Sequence, residues 1–242
     1  MRIYNSSVDL ISETCREVFS RGLIAFDATV QGIQVDAEEY EMKELLAYTF
    51  TATPSCHFDK EAMLSWAREH FKKPHLVPEY GKAWVKAMIT GDEKLEIEAN
   101  MKYAKNYWLK FCKGVFSYTY AERASKMIKS AIQLLRRNRY RRGATILVYY
   151  PQDHSLVFQN KRVPCSLVYQ PLIRRQGFKD VLHLTYVMRS CDLTNWFPLD
   201  IYRAMLLQEY LAEQLETDVG NLYVFINSLH AYKAEVPERL RW

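Results

Sequence analysis

The run VLHLTYVM (Val181 to Met188) passes directly into RSCDLTNWFPLD (Arg189 to Asp200), and a short way upstream stands PCSLVYQ (Pro164 to Gln170). The first run alternates between two faces and is rich in β-branched and aromatic residues, which predicts a strand. Arg189 and Ser190 then fall where that strand ends, and a guanidinium beside a hydroxyl can grip an anion. Cys165 is a candidate nucleophile, since a thiolate is suited to adding to an electron-poor carbon. A free cysteine is more often a small buried apolar residue, and Cys15 and Cys112 are read that way. Asp200 precedes the clearest helix of the chain, predicted over Ile201 to Leu215, and either caps it or offers an acceptor to a ligand.

Outward from this segment the chain supplies further helices and strands. Ser7 to Arg21 carries Val8, Ile11, Cys15, Val18 and Phe19 at helical spacing, with Ser6 or Ser7 as cap and Gly22 as stop. Leu23 to Val35 reads as strand, turn, strand, broken at Gly32. Ala37 to Thr49 reads as a helix that places Glu44 among Met42, Leu45, Leu46 and Tyr48; from the residues alone, such a Glu is a solvated charge. Another helix is predicted from an N-cap at Asp59 to Phe71, ended by Pro74. An amphipathic helix spans Glu122 to Arg137, with Ala124, Met127, Ile128, Ala131, Leu134 and Leu135 on its buried side. A strand follows through Thr145 to Tyr150, and a short one at Leu222 to Ile226 leads to Ser228 and His230.

A length of 242 residues with 49% apolar content suits one domain, residues 1–242, with a substantial core. The net charge of +5 is mild and concentrated at Arg136 to Arg142, which suits a phosphate ester as well as a nucleic-acid patch. The five cysteines show no C-x-x-C spacing, which argues against a disulfide framework and for a reducing cytoplasm; no metal is expected. No apolar run reaches the roughly 18 residues of a membrane helix, and no signal segment follows Met1. A cytoplasmic protein with no membrane partner is the expectation.

Pro164-Cys165, Arg189-Ser190-Cys191-Asp192, Pro198, Asp200 and His230-Ala231-Tyr232 occur in the order found in the thymidylate synthase superfamily, which the chain resembles over about residues 40 to 233. The paired arginines that this family lends to a neighbouring subunit match Arg141-Arg142, and its acidic residue in an E-L-L segment matches Glu44-Leu45-Leu46. Trp84 falls where the family has a tryptophan near the folate; the alternative is a core aromatic. Tyr103-Ala104 to Trp108 resembles the family's Y-G-x-x-W stretch with Ala for Gly, which requires a turn without positive φ. The chain departs from the synthases at Asp200, where they carry Asn and the deoxycytidylate hydroxymethylases carry Asp. It also has Met188 for Gln, Ser166 for His, and Thr194-Asn195-Trp196 for a Gly-rich loop. Asp27-Ala28-Thr29 stands where the family has a phosphate-binding arginine.

The resemblance implies an α/β (α+β) fold of the thymidylate synthase type, a large twisted mixed sheet flanked by helices. It implies a homodimer with arginines shared across the interface, 5,10-methylenetetrahydrofolate as co-substrate, and Cys165 adding to C6 of a pyrimidine. In that scheme Glu44 organises the water that moves protons, while Arg189, Ser190 and the neighbour's Arg141 and Arg142 hold the phosphate. His230 and Tyr232 take the sugar hydroxyl, and Trp84 and Asp192 take the folate. Asp200 is expected to read the base, since an ionised carboxylate attracts the amino group of cytosine and repels O4 of uracil. The leading expectation is therefore deoxycytidylate (dCMP) 5-hydroxymethylation, with dUMP methylation by a thymidylate synthase proper as the alternative, then a CMP hydroxymethylase or dCMP methylase. A rival from another class is a non-catalytic nucleic-acid-binding protein using Arg136 to Arg142. The nucleophile, phosphate and base positions occurring together in family order argue against it, so no nucleic acid is expected as partner.

Overall fold

The computed structural model describes the chain except residues 1, 27–28, 31–32, 37–39, 113–115 and 160, and the side chains of 29, 30, 33, 34, 111 and 112. The turn at Asp27-Ala28-Thr29 and the Cys112 side chain therefore lie outside the described residues.

The strand read from VLHLTYVM is the centre of the sheet. It is β8 (Lys179–Asp192), antiparallel to β7 (Ser166–Gln176) and parallel to β9 (Asp218–Tyr232). Leu182, Leu184, Tyr186 and Met188 are fully buried, as the alternation requires, and Tyr186 stacks on Tyr169 of β7 at 4.3 Å. Beyond β9 lies β5 (Glu41–Ala52), antiparallel to it; β1 (Arg2–Tyr4) pairs with the second half of β5 and β2 (Leu23–Phe26) with the first. β6 (Ile146–Leu147) flanks β7. Among the described residues this is a mixed seven-stranded sheet in the order β1-β5-β9-β8-β7-β6, with β2 also on β5. Short strands β3 (Thr29–Val30) and β4 (Ile33–Gln34) pair separately.

Helices flank the sheet. α1 (Ser7–Arg21) begins at the predicted cap, Ser6 accepting from the Asp9 N–H, and ends at Gly22. Asp59 stands before α2 (Lys60–Phe71) without capping it. Its carboxylate instead accepts from Ser6 Oγ at 2.9 Å and the Ser7 N–H at 3.0 Å, which ties the two helix starts together. α3 (Pro78–Thr90), α4 (Glu93–Tyr103) and α5 (Lys105–Cys112) follow, Ala104 between the last two having φ −128°, as expected of Ala in place of Gly. α6 (Tyr120–Arg137) buries Ala124, Ile128, Ala131 and Leu135 as predicted. α8 (Phe197–Gln214) packs on β8 and β9 and against α3, where a Cβ on Gly81 would stand 2.5 Å from the Tyr202 ring.

A buried ion pair fixes the approach to β7. Arg123 of α6 donates from Nη2 to Asp153 Oδ1 at 2.8 Å and from Nη1 to the Val148 carbonyl at 3.0 Å, while the Tyr150 N–H donates to Asp153 Oδ2 at 2.7 Å. Asp153 opens the short α7 (Asp153–Phe158), which leads towards Cys165.

Four sequence readings are corrected. Glu41–Ala52 is a strand where Ala37 to Thr49 was read as a helix: its Glu, Leu, Met and Ala favour a helix locally, but ladders on both sides and the burial of Tyr48 and Phe50 override that preference. Within it Ala47 takes a left-handed φ of 50°, a costly backbone for a residue with a Cβ, between the half that pairs with β2 and the half that pairs with β1. The strand expected at Thr145 to Tyr150 shrinks to Ile146–Leu147. The one expected at Leu222 to Ile226 grows to Asp218–Tyr232 because it is paired on both edges. The helix expected from Ile201 begins at Phe197, with Pro198 in its first turn, so Asp200 lies inside that turn and its N–H donates to Trp196 O at 2.8 Å.

Candidate active site

A cavity of about 600 Å³ opens beside the ends of β5, β8 and β9 and the start of β7. Glu44, Trp84, Cys165, Arg189, Ser190, Asp192, Asp200, His230 and Tyr232 all line it. Of the residues singled out from sequence, Arg141 and Arg142 alone stand elsewhere, exposed on the surface beyond α6.

Cys165 lies at the wall just before β7, and β8 brings two donors to it. Ser190 Oγ is 3.6 Å and Arg189 Nη2 3.8 Å from Cys165 Sγ. Arg189, read from sequence as an anion grip, is bound in the structure to the chain itself. Its Nε donates to Pro164 O at 2.9 Å, its Nη2 to Val163 O at 3.3 Å, and its backbone N–H to Cys165 O at 2.9 Å. The guanidinium thus clamps the backbone that presents the sulfur, and the proximity of Cys165 raises the Arg189 pKa, so the cation stays fixed there. A cation and a hydroxyl donor thus both face the Cys165 sulfur. The other described cysteines are built differently. Burial pushes Cys15 and Cys191 far up and Cys56 up to about 12, so these remain inert thiols.

Glu44 faces His230 across the β5–β9 ladder. Ser228 Oγ donates to Glu44 Oε1 and lies 3.3 Å from His230 Nδ1, and the His230 ring meets Tyr232 edge-on at 4.9 Å. The period-two spacing of 228, 230 and 232 carries all three to the cavity, where a carboxylate, a hydroxyl, an imidazole and a phenol can order water and move protons.

Asp200 projects from the first turn of α8. Its Oδ1 accepts from Arg203 Nη1 at 3.2 Å, and Cys191 Sγ lies 3.8 Å from its Oδ2. Burial pushes its carboxyl up to about 6 despite Arg203, so it is mostly ionised at neutral pH and titrates within reach of it. Asp192 is already engaged. Its Oδ1 accepts from the Thr194 N–H at 2.9 Å, Thr194 Oγ1 at 3.0 Å and the Asn195 N–H at 3.1 Å, and its Oδ2 from Asn195 Nδ2 at 2.7 Å. It shapes the turn that stands in for the Gly-rich loop, and Oδ2 keeps capacity for one more donor.

Sequence reasoning missed several lining groups. Arg203 is signalled by its i,i+3 spacing from Asp200 once the helix is known to start at Phe197. Glu96 is buried on the cavity wall and accepts from the N–H groups of Tyr120 (3.1 Å) and Ala121 (2.8 Å) at the start of α6; burial raises its pKa, and those N–H groups oppose the rise. Tyr107, Trp108 and Trp196 join Trp84 in an aromatic wall, Trp196 lying 4.8 Å from Tyr107 and 5.5 Å from Trp108 between ring centroids. Trp84 is both core and wall, 4% exposed and packed on Tyr120 at 4.5 Å.

The fold and its cavity define a mixed-sheet α/β protein in which a thiol, a guanidinium and several carboxylates line one pocket. Residues 36–240 match the thymidylate synthase family, and the chain belongs to it. The proteins named "Putative thymidylate synthase" from Methanococcoides burtonii and Methanosarcina mazei are 29% and 28% identical to it over 123 residues. That is 48% of this chain and 54% of theirs, so the chain spans about half the length of the curated relatives it matches. The structure of thermostable thymidylate synthase A from Bacillus subtilis superposes with a TM-score of 0.63 over 94% of this chain and 80% of that one; at 15% identity the likeness is one of fold. Among the described residues no helix is long and apolar enough to cross a membrane, and no group of His, Cys and carboxylates could hold a metal.

Proposed function

We propose that this protein transfers a one-carbon unit to C5 of a pyrimidine nucleoside monophosphate, with Cys165 as nucleophile. The observation that carries the reading is the convergence of Ser190 Oγ and Arg189 Nη2 on Cys165 Sγ in a cavity that also holds Asp200 and Glu44. Addition of the thiolate to C6 moves the electron pair of the C5–C6 bond towards C5 and the C4 substituent, which makes C5 nucleophilic. C5 then bonds to the one-carbon unit, Glu44, through Ser228 and water, takes up the proton that C5 loses, and the folate amine leaves with its bond pair. Water (hydroxymethyl product) or hydride from the tetrahydrofolate (methyl product) adds at the exocyclic carbon as Cys165 departs and the ring double bond returns. Arg189 and Ser190 lie close enough to the sulfur to serve both thiolate and phosphate, and His230 and Tyr232 offer polar groups to the sugar.

The aromatic wall of Trp84, Tyr107, Trp108 and Trp196 suits a flat pterin, with Asp192 Oδ2 left to accept from its ring. The family's co-substrate, 5,10-methylenetetrahydrofolate, supplies the one-carbon unit when bound. Arg141 and Arg142 complete a phosphate site only in a second copy of the chain. Leu46 and Phe225, 60% and 37% exposed on the sheet, are apolar side chains that a homodimer would cover.

An ionised Asp200 accepts from the amino group of cytosine and faces O4 of uracil unfavourably, which supports dCMP as substrate and the hydroxymethyl product of enzymes that carry Asp at this position. The second reading, methylation of dUMP, is favoured by the names of the relatives, and Arg203 on Oδ1 offsets part of the charge that would repel O4. Incubation with methylenetetrahydrofolate and dCMP, dUMP or CMP, with products identified by mass, distinguishes these outcomes. One unsatisfied group costs about 1 to 3 kcal/mol, so the ratio of kcat/KM for dCMP over dUMP should shift roughly tenfold to hundredfold towards dUMP in Asp200→Asn. A native protein that prefers dUMP overturns the cytidylate reading and leaves Cys165 in place.

A further inference from the structure

Arg203 enters the reading above only as a partner of Asp200, and its surroundings define that part. It lies one turn beyond Asp200 on α8, is 5% exposed, and lines the cavity between two rings, its Cζ 4.8 Å from the Tyr80 centroid and 4.3 Å from that of Trp84. Nη1 donates to Asp200 Oδ1 at 3.2 Å, whereas the buried Nε and Nη2 make no hydrogen bond. A buried guanidinium is costly unless a counter-charge compensates it, and packing between two rings restricts it from turning to another partner. Asp200 is the carboxylate to which it donates, with the Tyr80 hydroxyl and the charge of Glu96 also acting on it.

The remaining groups around Asp200 are neutral or opposed to its charge. Cys191 of β8, held as a thiol by burial, is a neutral donor to Oδ2. Tyr186 of β8, Tyr169 of β7 and Tyr120 of α6 are all pushed up by burial and stay neutral phenols, and Asp192 disfavours a second negative charge. The cation in direct contact with Asp200 is Arg203. We propose that Arg203 is a positioning residue that holds Asp200 as an ionised acceptor and thereby sets the preference between cytosine and uracil. The inference rests on Asp200 reading the base, and it applies whichever base is preferred at neutral pH. The ionised carboxylate can only accept, whereas the protonated group can also donate to N3 of cytosine or O4 of uracil and so discriminates less.

The test is the dCMP to dUMP ratio of kcat/KM from about pH 5 to 10 in the native protein, Arg203→Met, Arg203→Lys and Asp200→Asn. In the native protein the ratio should move towards one as the pH drops through about 6. Removing the cation raises the Asp200 pKa, so in Arg203→Met the midpoint should move up by about 1 to 3 pH units, and Arg203→Lys should return it towards the native value. Loss of packing alone would lower both rates without moving the midpoint. A midpoint unmoved in Arg203→Met, or as far displaced in Arg203→Lys, overturns the proposal. The ratio should be independent of pH in Asp200→Asn; if it keeps the native pH dependence, it is Asp200 as base reader that fails. Should Arg203→Met not fold, Arg203→Gln removes the charge with a polar side chain, and nucleotide affinities by calorimetry over the same range carry the comparison for slow variants.

Discussion

Replacing Asp153 by Ala tests whether the buried pair with Arg123 holds the segment that leads to Cys165. Asp153 is fully buried and Arg123 8% exposed, so the change leaves a guanidinium in the interior that still donates to the Val148 carbonyl but has lost its counter-charge. It also strands the Tyr150 N–H that Asp153 accepts. Breaking a buried pair from one side costs about 3 to 5 kcal/mol. For a chain of this size each kcal/mol lowers Tm by about 2 to 4 °C, so thermal unfolding followed by circular dichroism should show a loss of roughly 6 to 20 °C. The double variant Arg123→Met with Asp153→Leu removes both charges and should recover most of that loss, because the penalty comes from the uncompensated cation. Acid should erase the difference. Burial alone would raise the Asp153 carboxyl, but Arg123 and the Tyr150 N–H hold it below its ordinary value. The pair therefore contributes fully above the ordinary carboxylate value and is lost as the pH falls through the depressed one. A single variant within about 1 kcal/mol of native, or a double variant no better than the single, would refute the reasoning.

Cys165→Ser should lose turnover with its unfolding temperature near native, since a hydroxyl does not ionise enough to add to C6; Cys15→Ser, in the core, should keep turnover and lose stability instead. Retained turnover in Cys165→Ser removes it as nucleophile. Mixing Arg142→Ala chains with Cys165→Ala chains should restore activity once subunits exchange, because one site of the heterodimer has both intact halves; demonstrated exchange without activity rules out the shared site. Gly81→Ala should destabilise by about 1 to 3 kcal/mol, read as a lower denaturant midpoint, because its Cβ would meet the Tyr202 ring at 2.5 Å.

The central strand and the α8 helix are legible in the sequence because their signals are local: strict alternation through Val181 to Met188, and a long apolar period after Ile201. Glu41 to Ala52 was not, since its helix-favouring residues become a strand only through partners far away in the chain, such as Leu222 to Tyr232. The order of the motifs picks out residues far apart in the chain that share one cavity, Arg141 and Arg142 excepted, but not the contacts they make there. Arg189 was read as an anion grip, and nothing in the sequence shows that its Nε turns back onto Pro164 O. Arg203 escaped notice because an arginine in the middle of a helix is ordinarily a solvated one, and its burial between Tyr80 and Trp84 depends on α3, which carries no strong sequence signal.

The alternation at the end of β9 has a consequence for how this protein can change. Ser228, His230 and Tyr232 reach the cavity while Leu229 and Ala231 between them are fully buried. Substitutions at Ser228 and His230 can alter the cavity while leaving Leu229 and Ala231 in the core, whereas Tyr232 also packs on Tyr40. A single residue deleted between Leu222 and Ser228 would do the reverse, bringing Leu229 to the cavity and His230 into the core. New specificities in this lineage are therefore reachable by exchanging letters along the strand, and closed to any path that changes its length.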